Sequence, residues 1–132
     1  MNILFVHQNF PAQFKHLAPR LLECGHDVRV LRFGAGRDKN LRSIKEYSCN
    51  FNNVKNTASH PWVTDIESKI IRADACYKYA KQLRESGYSP DRIIAHPGWG
   101  ESLFLKEVWP NARLGIYCEF YYSSSGLDLG FD

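Results

Sequence analysis

Three polar groups stand where apolar runs end, and they are the residues best placed to do chemistry. His7-Gln8-Asn9 follows Ile3-Leu4-Phe5-Val6, His96-Pro97-Gly98-Trp99-Gly100 follows Ile93-Ile94-Ala95, and Glu119 follows the run Leu114 to Cys118. Imidazole, carboxamide and carboxylate groups so placed suit hydrogen bonding and charge stabilisation of a polar ligand. Gly98 and Gly100 would let that ligand approach the backbone closely. Taken singly, each loop also fits an ordinary connection with His96 and Glu119 hydrogen-bonded locally; together at one edge they favour a ligand site.

Other chemistries fail on spacing. A dinucleotide loop GxGxxG should follow the first strand, yet His7-Gln8-Asn9-Phe10-Pro11 has no glycine. Gly34-Ala35-Gly36 lacks a third glycine and reads as a turn. There is no phosphate-binding loop of the GxxxxGK[ST] type. A receiver-type phosphoacceptor would want acidic residues where His7 stands. Neither HExxH nor any other close histidine pair is present, so no metal site is expected. Ser123-Ser124-Ser125 lies in a loop-like tail without the GxSxG elbow of a serine nucleophile. Tyr117, Tyr121 and Tyr122, with Phe120 and Phe131, make an aromatic end. Packing is the slightly favoured role there, and stacking of Tyr121 or Tyr122 on a sugar or base is the alternative.

The elements that must position these groups read as α/β. Ile3 to Val6 is a continuous apolar run, as in a strand covered on both faces. Phe10, Phe14, Leu17, Ala18, Leu21 and Leu22 form a helical stripe with Asn9 as a cap, Pro11 in the first turn and Gly25 as the stop; Pro19 predicts a kink or break. Val28 to Phe33 is a second strand, completing a βαβ unit. Residues 37–62 are asparagine-rich, with a short strand near Ile44 to Tyr47 or Cys49 to Phe51. Thr64-Asp65-Ile66-Glu67 reads as a capping box. Ile66, Ile70, Ala73, Tyr77, Ala80 and Leu83 continue it as a helix that stops at Gly87. Beyond Pro90 come a strand to Ala95, the glycine loop, a helix from about Glu101 to Trp109 stopped by Pro110, and a last strand.

Composition narrows the class. A chain of 132 residues with 44% hydrophobic and 23% charged content suits one soluble domain. A net charge of +3 is too small to argue for nucleic acid. Arg37, Lys39, Arg42 and Lys45 cluster in one stretch that reads as a solvated loop, an anionic ligand being the alternative. The four cysteines, Cys24, Cys49, Cys76 and Cys118, show neither CxxC nor metal spacing; Cys76 and Cys118 suit buried thiols, and a reducing, cytoplasmic setting is expected. The first residues are too short an apolar run for a membrane span or signal peptide.

Two segments carry a family resemblance. MNILFVHQNFPAQFKHLAPRLLECGHDV at the start, and HPGWGESLFLKEVWPNARLGIYCEFYYSSSGLDLGFD from His96 to Asp132, resemble the N-terminal domain of family 4 (group 1) retaining glycosyltransferases. The likeness is specific in HPGWGES and EFYY and weaker between Arg37 and Trp62. It implies a Rossmann-like parallel sheet flanked by helices, one half of a GT-B fold. Residues 1–132 would be a single N-terminal, acceptor-side domain, with the C-terminal donor-binding domain absent from this chain. It implies a hexosyltransferase-type activity of the full-length protein that retains anomeric configuration. The isolated domain would be inactive, and no metal or cofactor would be needed beyond the nucleotide-sugar co-substrate. The partners implied are a nucleotide-sugar donor, a sugar, glycolipid or polysaccharide acceptor, and the C-terminal domain. Nucleic acid is not among them, and peripheral membrane association of the full-length enzyme stays open.

Carried onto this sequence, the resemblance gives His96 the catalytic position near donor sugar and acceptor. It gives substrate binding to His7, Gln8, Asn9 and Glu119, to which the loop glycines Gly98 and Gly100, with Trp99, and the aromatic Tyr121 are added on the chemistry of the residues themselves. Phe10-Pro11-Ala12 replaces the family's glycine pair after the first strand, which puts direct phosphate contact there in question. The implied mechanism is front-face displacement, in which His96 orients sugar or acceptor and need not accept a proton. Two rival readings remain: a non-catalytic α/β ligand-binding or interaction module, and half of a sugar-nucleotide epimerase.

Overall fold

The computed structural model describes residues 1–33, 41, 43–49 and 60–119. Among them, five strands form one parallel sheet: β1 (Asn2–Val6), β2 (Asp27–Phe33), β3 (Lys45–Cys49), β4 (Arg92–Ala95) and β5 (Arg113–Ile116). The spatial order is β3-β2-β1-β4-β5, so the sequence order reverses between β1 and β4. This is the Rossmann-like arrangement expected, and the reversal marks where such sheets open a crevice at their carboxyl edge.

Strand alternation sends side chains to two cores. Leu4, Val6, Ile93 and Ala95 pack beneath helices α2 (Thr64–Glu85) and α3 (Leu105–Val108). Ile3, Phe5, Val28 and Val30 pack with Phe10, Phe14 and Ala18, the last from helix α1 (Leu17–Glu23). Phe5 and Leu4 are wholly buried on opposite faces, and side chains of this kind contribute about 1.5–3 kcal/mol each on burial.

Several local expectations change. The break in the first helical region falls at Lys15-His16, between a single-turn 3₁₀ helix (Ala12–Phe14) and α1. Pro19 then lies in the first turn of α1, where a missing N–H costs nothing, and no kink is needed. Asn9 caps nothing; its own N–H is bonded by His7 Nδ1 at 2.9 Å. The capping box at Thr64 does not form. The cap position is Val63, without a side-chain bond, because His60 caps a 3₁₀ turn (Pro61–Val63) that runs straight into α2. The expected stripe of α2 is buried only from Ala73 onward, with Cys76, Ala80 and Leu83; Ile66 and Ile70 are exposed. The helix expected from Glu101 to Trp109 is helical only over Leu105–Val108, because Gly100, at φ +94°, turns Glu101 and Ser102 inward before the helix starts. Cys118, expected in a strand interior, lies past β5 and is exposed, while Cys49 and Cys76 are buried free thiols. Gly34-Ala35-Gly36, Arg37, Lys39, Arg42 and the aromatic tail from Phe120 onward lie outside the described residues.

Candidate active site at the β1–β4 switch

The site begins with register. Val6 pairs with Ala95, and the ladder runs one step further, the His96 N–H donating to the Val6 carbonyl at 3.3 Å and the His7 N–H to Leu31 at 3.2 Å. His7 and His96 therefore stand side by side on neighbouring strands, both turned to the α1 face by alternation. Their rings meet edge to face at 5.2 Å between centroids, and both residues are buried. Phe14 closes the far side, packing edge-on against His7 at 5.7 Å and Tyr117 at 5.7 Å.

One hydrogen-bond device repeats in the two loops. His7 Nδ1 accepts from the Asn9 N–H, and His96 Nδ1 accepts from the Gly98 N–H at 3.1 Å. A main-chain N–H is always a donor, so Nδ1 must present its lone pair and a neutral ring carries hydrogen on Nε2. Both imidazoles are thereby set as Nε2–H donors. Burial, followed by the neighbouring His96, pushes the His7 pKa below the ordinary histidine value. His96 Nε2 lies 3.4 Å from Glu119 Oε1, too poorly aligned for a hydrogen bond, so this buried nitrogen has no hydrogen-bond partner among the described residues. Glu119 Oε1 does accept a short bond from Gln13 Nε2.

The β4 loop is fastened to α2. A Cβ on Gly100 would meet the Lys69 carbonyl oxygen at 2.4 Å, and one on Gly98 would meet the His96 ring at 3.0 Å. The first glycine lets the loop sit on α2; the second leaves room for the ring to bond back to the loop. Glu101 is buried, with Oε1 lacking a hydrogen bond among the described residues and the Arg72 guanidinium 4.0 Å away; burial pushes its pKa up. Arg72 also donates a short bond to Gln8 Oε1 and lies 5.5 Å from the Trp99 ring centroid. One cation thus ties the β1 loop to the β4 loop.

The sequence model of the glycosyl transferase family 4 group matches residues 25–132. This chain belongs to that family. No curated protein matches it. Among solved structures it is similar to the C-terminal domain (residues 78-226) of PF1911 hydrogenase from Pyrococcus furiosus, at TM-score 0.60 and 14% identity, over 87% of this chain and 89% of that one. It is also similar to TcCGT1, a structure solved in complex with UDP, at TM-score 0.59 and 10% identity, over 88% of this chain and 28% of that one. At such identities the two likenesses show the fold alone. The chain spans little more than a quarter of TcCGT1.

Within this family 4 domain, the predicted residues divide into two groups. His7, His96 and Glu119 converge at the carboxyl edge of β1 and β4, while Gln8 and Trp99 meet at Arg72, which also lies near Glu101. Gly98 and Gly100 shape the loop, Asn9 is exposed and serves through its N–H, and Tyr121 lies outside the described residues. Gln13, Arg72 and Glu101 were not singled out by sequence. Glu101 alone carried a signal, following Gly100 in HPGWGES. Two surface cavities, of about 280 and 420 Å³, lie against Arg84 and Val108, away from the crevice. No group of three potential metal ligands occurs among the described residues, and none of their helices is long and apolar enough to cross a membrane.

Proposed function

We propose that this glycosyltransferase family domain is the N-terminal, acceptor-side half of a retaining enzyme of GT-B architecture. It acts in the cytoplasm, and a hexosyl group passes from a nucleotide sugar to a sugar, glycolipid or polysaccharide acceptor. A second domain would supply most of the donor contacts and the other wall of the cleft. The observation that carries this reading is the pair of buried histidines in register at the β1–β4 switch, in a chain whose family match spans residues 25–132.

The geometry favours donors over bases. With Nδ1 occupied by the Gly98 N–H, a neutral His96 offers Nε2–H to a sugar hydroxyl or phosphoryl oxygen and cannot take up a proton at that nitrogen. It serves a front-face displacement by fixing the reacting groups and stabilising the charge that develops on the leaving phosphate. The departing phosphate is then the natural acceptor of the hydroxyl proton. No metal or further cofactor is required by this scheme. Trp99, half exposed on the loop, is placed to stack on a sugar ring.

A product and thermal-shift screen of the full-length protein against nucleotide sugars tests the reading. A donor-dependent melting shift with sugar transfer to an acceptor is expected. Donor stabilisation without product across a broad acceptor set would favour a binding module, and C2 or C4 inversion of the free nucleotide sugar would favour an epimerase.

A further inference from the structure

We infer that Gln13 Nε2 and His96 Nε2 form a seat for one anionic oxygen of a ligand, and that Glu119 fills this seat as an internal competitor. Two N–H groups from different elements, the 3₁₀ turn after β1 and the end of β4, converge on the single oxygen Glu119 Oε1. The fit is incomplete in an informative way. Gln13 is bonded, whereas the buried His96 Nε2 is only in close contact at 3.4 Å. A carboxylate anchored in the chain beyond β5 satisfies one donor and leaves the other short; a free ligand oxygen is not so tethered and can satisfy both.

Glu119 is also easy to displace. Its side chain is 41% exposed, so its carboxylate regains water on leaving. While seated, it brings negative charge to a place where a ligand anion would have to go, beside a His7 ring that burial keeps biased towards its neutral form. Removing the carboxylate frees the donors and removes the repulsion, two effects of the same sign. The ligand oxygen is a phosphoryl or carboxylate oxygen, supplied by the donor diphosphate or by an acidic sugar. The choice of these ligands rests on the glycosyltransferase reading; the seat itself rests on the three side chains.

Calorimetric titration of the wild-type chain, Glu119→Ala, Glu119→Gln and the double variant Glu119→Ala/Gln13→Ala decides the matter, with UDP, inorganic pyrophosphate and glucuronate as ligands. If Glu119 holds the seat about nine-tenths of the time, apparent affinity is reduced about tenfold. Glu119→Ala is therefore expected to bind at least one ligand about tenfold more tightly than wild type, with Glu119→Gln between them. Adding Gln13→Ala should return the affinity towards wild type. A gain for UDP and pyrophosphate identifies the donor phosphate as the occupant, and a gain for glucuronate alone identifies an acidic sugar. Equal or weaker binding by Glu119→Ala overturns the proposal, as does the absence of binding to every variant. A gain for pyrophosphate without UDP keeps the seat while counting against a nucleotide-sugar enzyme, so the two readings fail separately. Melting of each variant close to that of wild type shows that it is folded.

Discussion

The loops after β1 and β4 use one device on two different foundations. Each begins with a histidine whose Nδ1 accepts the N–H two residues on, and the two rings meet across the switch point. The β1 loop is held by apolar packing: Phe10 and Phe14 lie against Phe5 at 5.8 and 5.1 Å between centroids. The β4 loop is held by backbone fit, with Gly100 seated on the Lys69 carbonyl and the Glu101 carboxylate buried near Arg72. Packing of the first kind yields by degrees, because neighbours relax into a gap. A glycine seated on a carbonyl has no such freedom. The difference implies that the two halves of the site should fail in different ways.

Phe14→Ala should do the most damage to stability. It removes a buried ring that touches Phe5, His7 and Tyr117, at an expected cost of about 3–5 kcal/mol. Denaturant unfolding measures that loss, while Phe14→Leu should recover much of it because most of the volume returns. A cost under about 1 kcal/mol would mean that the β1 loop does not depend on this ring. Gly100→Ala follows at about 3 kcal/mol, combining strain at φ +94° with a clash against backbone. Here no larger residue should rescue, and Gly100→Asn, tolerant of positive φ but not of the clash, should fail as well. Recovery by asparagine would show that the backbone angle, and not the seat on α2, is what the position requires.

His96→Ala leaves both foundations in place and removes one positioned donor, together with the acceptor of the Gly98 N–H and the ring packed on His7. In the two-domain enzyme proposed above it should lower turnover roughly tenfold to a thousandfold, the range for one lost oriented polar group. His96→Gln keeps an N–H near the Nε2 position and should recover part of that loss. A steady-state rate near wild type for His96→Ala would remove the residue from the chemistry and shift the case to His7.

The two foundations were unequally legible. Strands β1, β2, β4 and β5 are continuous or alternating apolar runs, and such runs have few other ways to bury themselves. His7, His96 and Glu119 were visible as candidates because each ends such a run, and the expected parallel order brings their ends together. Arg72 was not visible: it reaches Gln8 across 64 positions in sequence, a distance at which spacing carries no signal. Gln13 is similar, meeting Glu119 across 106 positions. Glu101 was read as the start of a helix because nothing local announces that Gly100 would turn it inward. The apparent capping box at Thr64 shows the converse, a local pattern overridden once His60 had already started the turn. Ile66 and Ile70 keep helical spacing without a core to meet, so periodicity predicted the helix correctly and its buried face only in part.

The smallest effect is the pH dependence that His7 gives to stability. The His7 pKa lies below its ordinary value of 6.5 in the folded chain, so the unfolded chain binds a proton more readily. The stability contributed by a neutral His7 is complete above about pH 6.5 and is lost as pH falls through that value towards the folded one. The titratable groups facing His7 are His96 and Glu119, with Gln13 beside them; burial dominates the shift with His96 adding to it, and the Gln13 hydrogen bond and then the Glu119 carboxylate oppose it. Glu101 acts with the opposite sign. Its raised pKa makes the folded state gain, relative to neutral pH, as the carboxylate is protonated. The comparison must therefore be between wild type and His7→Asn, which keeps an acceptor near the Nδ1 position for the Asn9 N–H and does not titrate. Unfolding free energies measured from about pH 7.5 to about pH 5 should converge or cross as pH falls, wild type losing stability that the variant keeps. Parallel curves would mean that His7 is free to charge in the folded chain, and that its burial against Phe14 and His96 does not hold it neutral.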